Sequence, residues 1–294
     1  MRQIQAFFIA SVLVLLTGVI LIVYTMEREQ EFKSYTTNIQ KVIVESAADA
    51  IDVQLQNKRQ HVELFLDEYS MLFSRLERYP EDEVNVNKIT HRLQQRFKDF
   101  FTFTITDAEG VPVLMDIEEL VGEACQKDLQ NYSGKVKRHQ NDNVMHNEVF
   151  LHPQPFHYHY DIMAPLPSQK GNKRIFFASF YLDEIANILK THEIPGQQLL
   201  LVRQSDPSLI EVSRRGARDK LERDPRLTID EQARSLVFEN IPESDWRLIN
   251  LPDPKFEEKY VGGLWREVVI MLIILAVGLF IIIRLTFKYA ERNR

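Results

Sequence analysis

The sequence predicts an α+β membrane protein: a long N-terminal helix packed on an antiparallel sheet, with a transmembrane helix at each end. Three observations carry this reading. Apolar runs of membrane-spanning length lie at residues 6–24 and around 268–283. Residues 27–79 hold no glycine or proline and place their apolar residues at helical spacing. Between 101 and 250, short segments alternate polar and apolar residues with the period of a strand.

The first run reads AFFIASVLVLLTGVILIVY and carries no charge. A bilayer core takes about 20 such residues. A cleaved signal peptide has a shorter run and a small-residue cleavage site, whereas this run passes into Thr25-Met26-Glu27-Arg28. It is read as an uncleaved anchor. The second run, VVIMLIILAVGLFIII, is apolar on every face, unlike a buried core helix. Trp265 suits one headgroup boundary and Arg284 can snorkel to the other, so the span is placed at 265–287.

Charge sets the orientation. The tail carries Arg284, Lys288, Arg292 and Arg294 against Glu291, a net +3, and Arg2 adds one more. With −6 for the whole chain, the middle is left at about −10. Residues 1–5 and 288–294 are therefore expected in the cytoplasm, and 25–264 outside it, in the periplasm of a bacterium. Such a tail is far below the ~40 residues a folded domain needs. The expectation is a chain that signals through a partner, or one that forms the input half of a longer receptor.

The outer region is expected to fold as follows. One helix runs to residue 79, with Phe32, Ile39, Val42, Ala50, Val62, Phe65, Tyr69, Leu72 and Leu76 on its buried side, and Pro80 ends it. A second helix buries Ile89, Leu93, Phe97 and Phe100. Residues 101–106 form a half-buried strand, 107–110 a turn, and 111–115 a returning strand. A helix broken near Gly122 covers 118–132, and 135–143 is a polar loop. Strands follow at 147–151, 156–164 and 175–181, then a helix at 182–192. Strands at 199–203, 209–213, 236–239 and 246–250 close the sheet, with a charged loop between 214 and 230.

The segments Phe101-Thr-Phe-Thr-Ile-Thr-Asp-Ala-Glu-Gly110, Tyr158-His-Tyr-Asp-Ile-Met-Ala-Pro165 and Ile241-Pro-Glu-Ser-Asp-Trp246-Arg-Leu-Ile, in this order between two spans, resemble a Cache domain. Cache domains are PAS-like extracytoplasmic sensor domains of bacterial sensor kinases, chemoreceptors and diguanylate cyclases. The resemblance covers about residues 25–260 and implies a small-molecule ligand and a dimer. The arginine followed by Trp-Tyr of amino-acid-binding members is absent, since the tryptophans are Trp246 and Trp265. Residues 288–294 are too few to hold the signalling output that the resemblance implies after the second span.

Candidate chemistry centres on Phe156-His-Tyr-His-Tyr-Asp-Ile-Met163. Alternation puts Phe156, Tyr158, Tyr160 and Ile162 on one face, packed on the long helix, and His157, His159, Asp161 and Met163 on the other. That second face can line an organic-ligand pocket, hold a metal through His157 and His159, or be hydrogen-bonded structure. Asp161 is about 13 Å from His157 along a straight strand, so metal closure would draw on His146, His152 or Glu148. Phe177, Ser179 and Tyr181 share a face of the next strand, and Asp183 follows it. Arg174 can clasp a carboxylate or stand as a solvated turn residue. Asp107 reads as a turn residue, and Cys125 as a small buried hydrophobe more than as half of an interchain disulfide.

The charge balance and the lack of a basic, aromatic-laced stripe exclude nucleic acid. No Gly-x-Ser-x-Gly, His-Glu-x-x-His or phosphate-binding glycine loop occurs, and neither an enzyme nor a cofactor is expected. The leading expectation is a membrane-anchored sensor. The alternative is a structural scaffold of the polysaccharide co-polymerase type, which would be dominated by helix.

Overall fold

The computed structural model describes residues 2–107, 109–114, 117–138, 149–154, 157–166 and 174–292. The chain divides into two compact units, one made of residues 1–40 with 253–294, the other of 41–252.

The first unit holds two helical segments. Helix α1 (Arg2–Glu68) begins in it, and helix α7 (Pro254–Arg292) ends it. Each is long and apolar enough to cross a membrane. Their apolar side chains, among them Leu13, Leu16, Ile20, Ile273, Ile274 and Phe280, face outwards, as lipid-facing residues do. Trp265 Nε1 donates to Glu29 at 3.2 Å, and Phe32 stacks on Tyr260 at 3.9 Å. A Cβ at Gly18 would touch Leu272 at 3.4 Å. Partners of rising number on α1 have falling numbers on α7, so the two helices run antiparallel.

The second unit is α+β. After α1 come α2 (Ser70–Arg78), α3 (Glu83–Arg96), β1 (Phe100–Ile105), α4 (Ile117–Arg138), β2 (His152–Gln154), β3 (His157–Pro165), β4 (Ile175–Tyr181) and α5 (Asp183–His192). Then follow β5 (Gln197–Arg203), β6 (Ile210–Ser213), β7 (Gly216–Ala217), α6 (Ile229–Arg234), β8 (Phe238–Asn240) and β9 (Trp246–Pro252). The strands form two antiparallel sheets, in orders β1-β4-β3-β2 and β7-β6-β5-β9-β8. The single sheet expected from the sequence is thus two, because α5 intervenes and β5 pairs with β9 instead of β4.

One core joins them. Val44, Ala47, Ile51, Leu55, Val62 and Phe65 of α1 are buried together with Tyr160, Ile162, Phe176, Ala178 and Phe180 of the first sheet and Leu201, Trp246 and Leu248 of the second. Tyr160 meets Trp246 edge-on at 5.9 Å, and Phe97 meets Phe180 at 5.4 Å. Consecutive residues of α1 also hold polar partners. Lys58 pairs with Asp99 at 2.5 Å and Glu184 at 2.8 Å, and Arg59 with Glu243 at 2.7 Å. Arg59 also donates to the Glu243 carbonyl, which steadies a residue at φ 52°, rare for a side-chain-bearing residue.

Several expectations are corrected. The long helix stops at Glu68: Tyr69 leaves helical geometry (φ −105°, ψ 19°), and the turn carries Phe73 of α2 onto Phe176 at 5.4 Å. Its buried stripe keeps the expected Val62 and Phe65 and adds Val44, Ala47, Ala48, Ile51 and Leu55, while Val42 is exposed. Of the returning strand expected at 111–115, residue 115 lies outside the described residues and 111–114 form no strand beyond the bridge of Thr106 to Pro112, where proline cannot donate to a ladder. Asp107 is a turn residue, its carboxylate accepting from the Glu109 and Val111 amides. Helix α4 runs through Gly122 without a break. Strand β1 is buried on both faces from Phe103 on, because α4 covers the face opposite α1.

Candidate functional site

The period-two split of β3 holds. Tyr160 and Ile162 lie in the main core, while His159, Asp161 and Met163 face the other way. Register aligns His152 with His159 and Tyr181, Asp161 with Ser179, and Met163 with Phe177. This second face is roofed by α4, whose Cys125, Leu129, Tyr132 and Val136 pack on Met163, Ile175 and Phe177. Amphipathic spacing puts these residues on one side of the helix, and Cys125 comes down over the polar row.

Five polar groups converge there: Cys125, His152, His159, Asp161 and Ser179 are each at most 2% exposed. Ser179 Oγ donates to Asp161 Oδ1 at 2.6 Å. His152 Nε2 lies 3.2 Å from Asp161 Oδ2 and 3.6 Å from Asp128 Oδ2. Cys125 Sγ sits 3.3 Å from His152 Nδ1 and 3.6 Å from His159 Nε2. His159 Nε2 is 3.6 Å from Asp161 Oδ1, and its Nδ1 lies 2.9 Å from the His157 carbonyl. Burial pushes the Cys125 thiol well up, and the Asp161 charge adds to it. Burial pulls the pKa of the His152 imidazole down, against the pull of Asp161.

Toward the start of β3 the face opens. His157 is exposed, and it forms a half-open aromatic corner with Phe101 and Tyr181, ring centroids 5.1–5.7 Å apart. Burial and the neighbouring Asp183 raise the Tyr181 hydroxyl's pKa.

No protein-family model and no curated protein sequence matches the chain. Solved structures do. The ligand-binding domain of Mlp24 with asparagine aligns at a TM-score of 0.50 and 12% identity, over 80% of this chain and 98% of that one. The ligand-binding domain of the Campylobacter jejuni chemoreceptor Tlp3, in complex with L-valine, aligns at 0.50 and 8% identity, over 78% and 97%. The ligand-binding domain of PctB from Pseudomonas aeruginosa PAO1, with L-Gln, gives 0.48 and 12%, over 74% and 91%. The chain has a Cache-like fold. At such identities the likeness is one of fold.

Within the Cache-like domain the residues singled out from the sequence are distributed unevenly. His159, Asp161, Phe177 and Ser179 share the roofed face, with Phe177 among the apolar residues under α4. His157 and Tyr181 stand at its open corner. Asp183 begins α5, is exposed and pairs with Lys220. Arg174 lies at the far end of β4, donating to the Glu77 carbonyl at 3.2 Å. His157 and His159 differ in setting, one exposed and one buried. His146 and Glu148, considered as closing ligands, lie outside the described residues. Two members of the cluster were not assembled by sequence reasoning. Cys125 was read as a hydrophobe because only the packing of α4 shows what lies under it. His152 was named as a possible closing ligand for His157 and His159 and not as a partner of Cys125, since a three-residue strand containing Pro153 gives no periodic signal.

Proposed function

We propose that this protein is a two-span sensor of the cell membrane, with both termini cytoplasmic and its Cache-like domain in the periplasm binding a small molecule. The observation that carries the reading is the Cache-like fold between two helices long enough to cross a membrane. The ligand approaches the corner of Phe101, His157 and Tyr181, with Asp183 beside it and the polar row of His159, Asp161 and Ser179 behind. Helix α1, unbroken from Arg2 to Glu68, carries the change into the first membrane segment within a homodimer. The signal then leaves through a partner or a further domain. The transmitted free energy is bounded by the ligand's differential affinity for the two states. The scaffold alternative calls for a helix-dominated outer region, and the four- and five-stranded sheets count against it.

The test is a chimaera. The chain replaces the input and spans of a two-span receptor with a measurable cytoplasmic output, and cells are exposed to a panel of small metabolites. Output that changes with one chemical class supports the proposal. A folded, inserted chimaera whose output never changes contradicts it.

A further inference from the structure

Hydrogen bonds orient the rings of the buried cluster beneath α4. Carboxylates only accept, so the His152 nitrogen facing Asp161 and Asp128 donates, and Nδ1 is turned to Cys125 Sγ at 3.3 Å. Nδ1 of His159 faces a backbone carbonyl at 2.9 Å and donates to it, which turns Nε2 toward Cys125 and Asp161. Nitrogens of both rings, and an Asp161 oxygen, converge on Cys125 Sγ. A thiol, an imidazole nitrogen and a carboxylate oxygen gathered so closely in a buried setting form a coordination set.

The geometry points to a site for a single zinc-class divalent ion, held by Cys125 Sγ, His159 Nε2 and an Asp161 carboxylate oxygen. These three atoms lie within 4.8 Å of one another. Zinc bond lengths of about 2.0–2.3 Å set tetrahedral edges of roughly 3.3–3.6 Å. The sulfur–Nε2 and Nε2–Oδ1 separations are both 3.6 Å. The mixed sulfur, nitrogen and oxygen set suits zinc over magnesium or calcium. Supporting contacts are of the kind metal ligands use: His159 is oriented through Nδ1 by the His157 carbonyl, and Asp161 by Ser179 Oγ and His152 Nε2. His152 is thus a positioning residue. On binding, the thiol proton leaves to solvent. The thiolate and the carboxylate together then balance the ion's two charges. The inference rests on this cluster alone and stands whether or not the domain signals.

Cobalt(II) serves as the probe, on the full chain in nanodiscs after chelator treatment. We expect one cobalt per chain, a near-ultraviolet thiolate-to-cobalt charge-transfer band and intense visible bands of tetrahedral type, all displaced by zinc. Cys125→Ser abolishes the charge-transfer band. His152→Ala keeps the band and weakens affinity about 10–100-fold. The wild-type spectrum decides the matter even where a variant folds poorly. A folded wild-type protein without the charge-transfer band overturns the inference, as do bands that track His157 and ignore Cys125.

Discussion

Lys58 shows what single residues do in this fold. Its ammonium is buried, bonded to Asp99 and Glu184, and lies 5.0 Å above the Phe180 ring. Burial raises the pKa of the Asp99 carboxyl, and Lys58 draws it back down. Removing one partner of such a pair strands the other charge, so Lys58→Ala should cost about 3–5 kcal/mol. Replacing both, as Lys58→Met with Asp99→Leu, should recover most of that loss. Equal losses for the single and double variants in denaturant melts would mean the pair is not the source. Such pairs were invisible in the sequence. Lys58 and Arg59 are not among the apolar positions that periodicity picks out on the long helix, and only tertiary packing shows them to be buried. The polar row on β3 was legible, because His159, Asp161 and Met163 follow a two-residue period that burial obeys. Its completion by Cys125 and His152 depends on contacts 27 to 34 residues apart in sequence, which no local pattern encodes.

At the scale of elements, α4 and α6 make opposite demands. Helix α4 roofs the polar face, and Gly110 lets the preceding turn approach it. Gly110 has φ +88°, and a Cβ there would lie 2.8 Å from Ser133 Cβ. Gly110→Ala should therefore destabilise by at least about 1–2 kcal/mol, read in a thermal melt; no loss would mean that α4 shifts freely on its sheet. Helix α6 is short and stands on a capping box: Thr228 accepts from the Glu231 amide and Glu231 reaches back to Thr228. Arg223 grips the Glu231 carboxylate with two bonds of 2.6 Å and, helped by Thr228, holds its pKa down to about 2. The folded value lies below the unfolded one. The stabilisation is therefore present above about pH 4.5 and lost as pH falls toward 2. Solvent screening keeps it to about 1 kcal/mol or less. The advantage of wild type over Glu231→Gln should shrink between neutral pH and pH ~3, and a constant difference would refute the pairing. Most elements were legible, since β3, β4, α3 and α5 carry strong periodicity and sharp ends. The break at Tyr69 was not, because neither glycine nor proline marks it and tertiary packing of Phe73 makes it.

For the whole molecule, the two apolar helices and the strand-rich middle were both plain in the sequence, and so was the Cache-like order of elements. The division into two sheets was not, because strand partners depend on how α5 returns the chain. The central helix of the domain continues into a segment long and apolar enough to cross a membrane, and it is held at Lys58 by Asp99 and Glu184 and at Arg59 by Glu243. The claim that this domain binds a small molecule is tested most directly by thermal melts of the full chain in nanodiscs, with a chelator present to silence metals. The panel is small carboxylates, amines, amino acids and nucleosides. A ligand at 100 times its dissociation constant adds about 2.7 kcal/mol, or roughly 5–10 °C for a domain of this size. The account predicts such a shift for one chemical class, reduced by Tyr181→Ala. A well-folded protein whose melting point moves for none of them would contradict it.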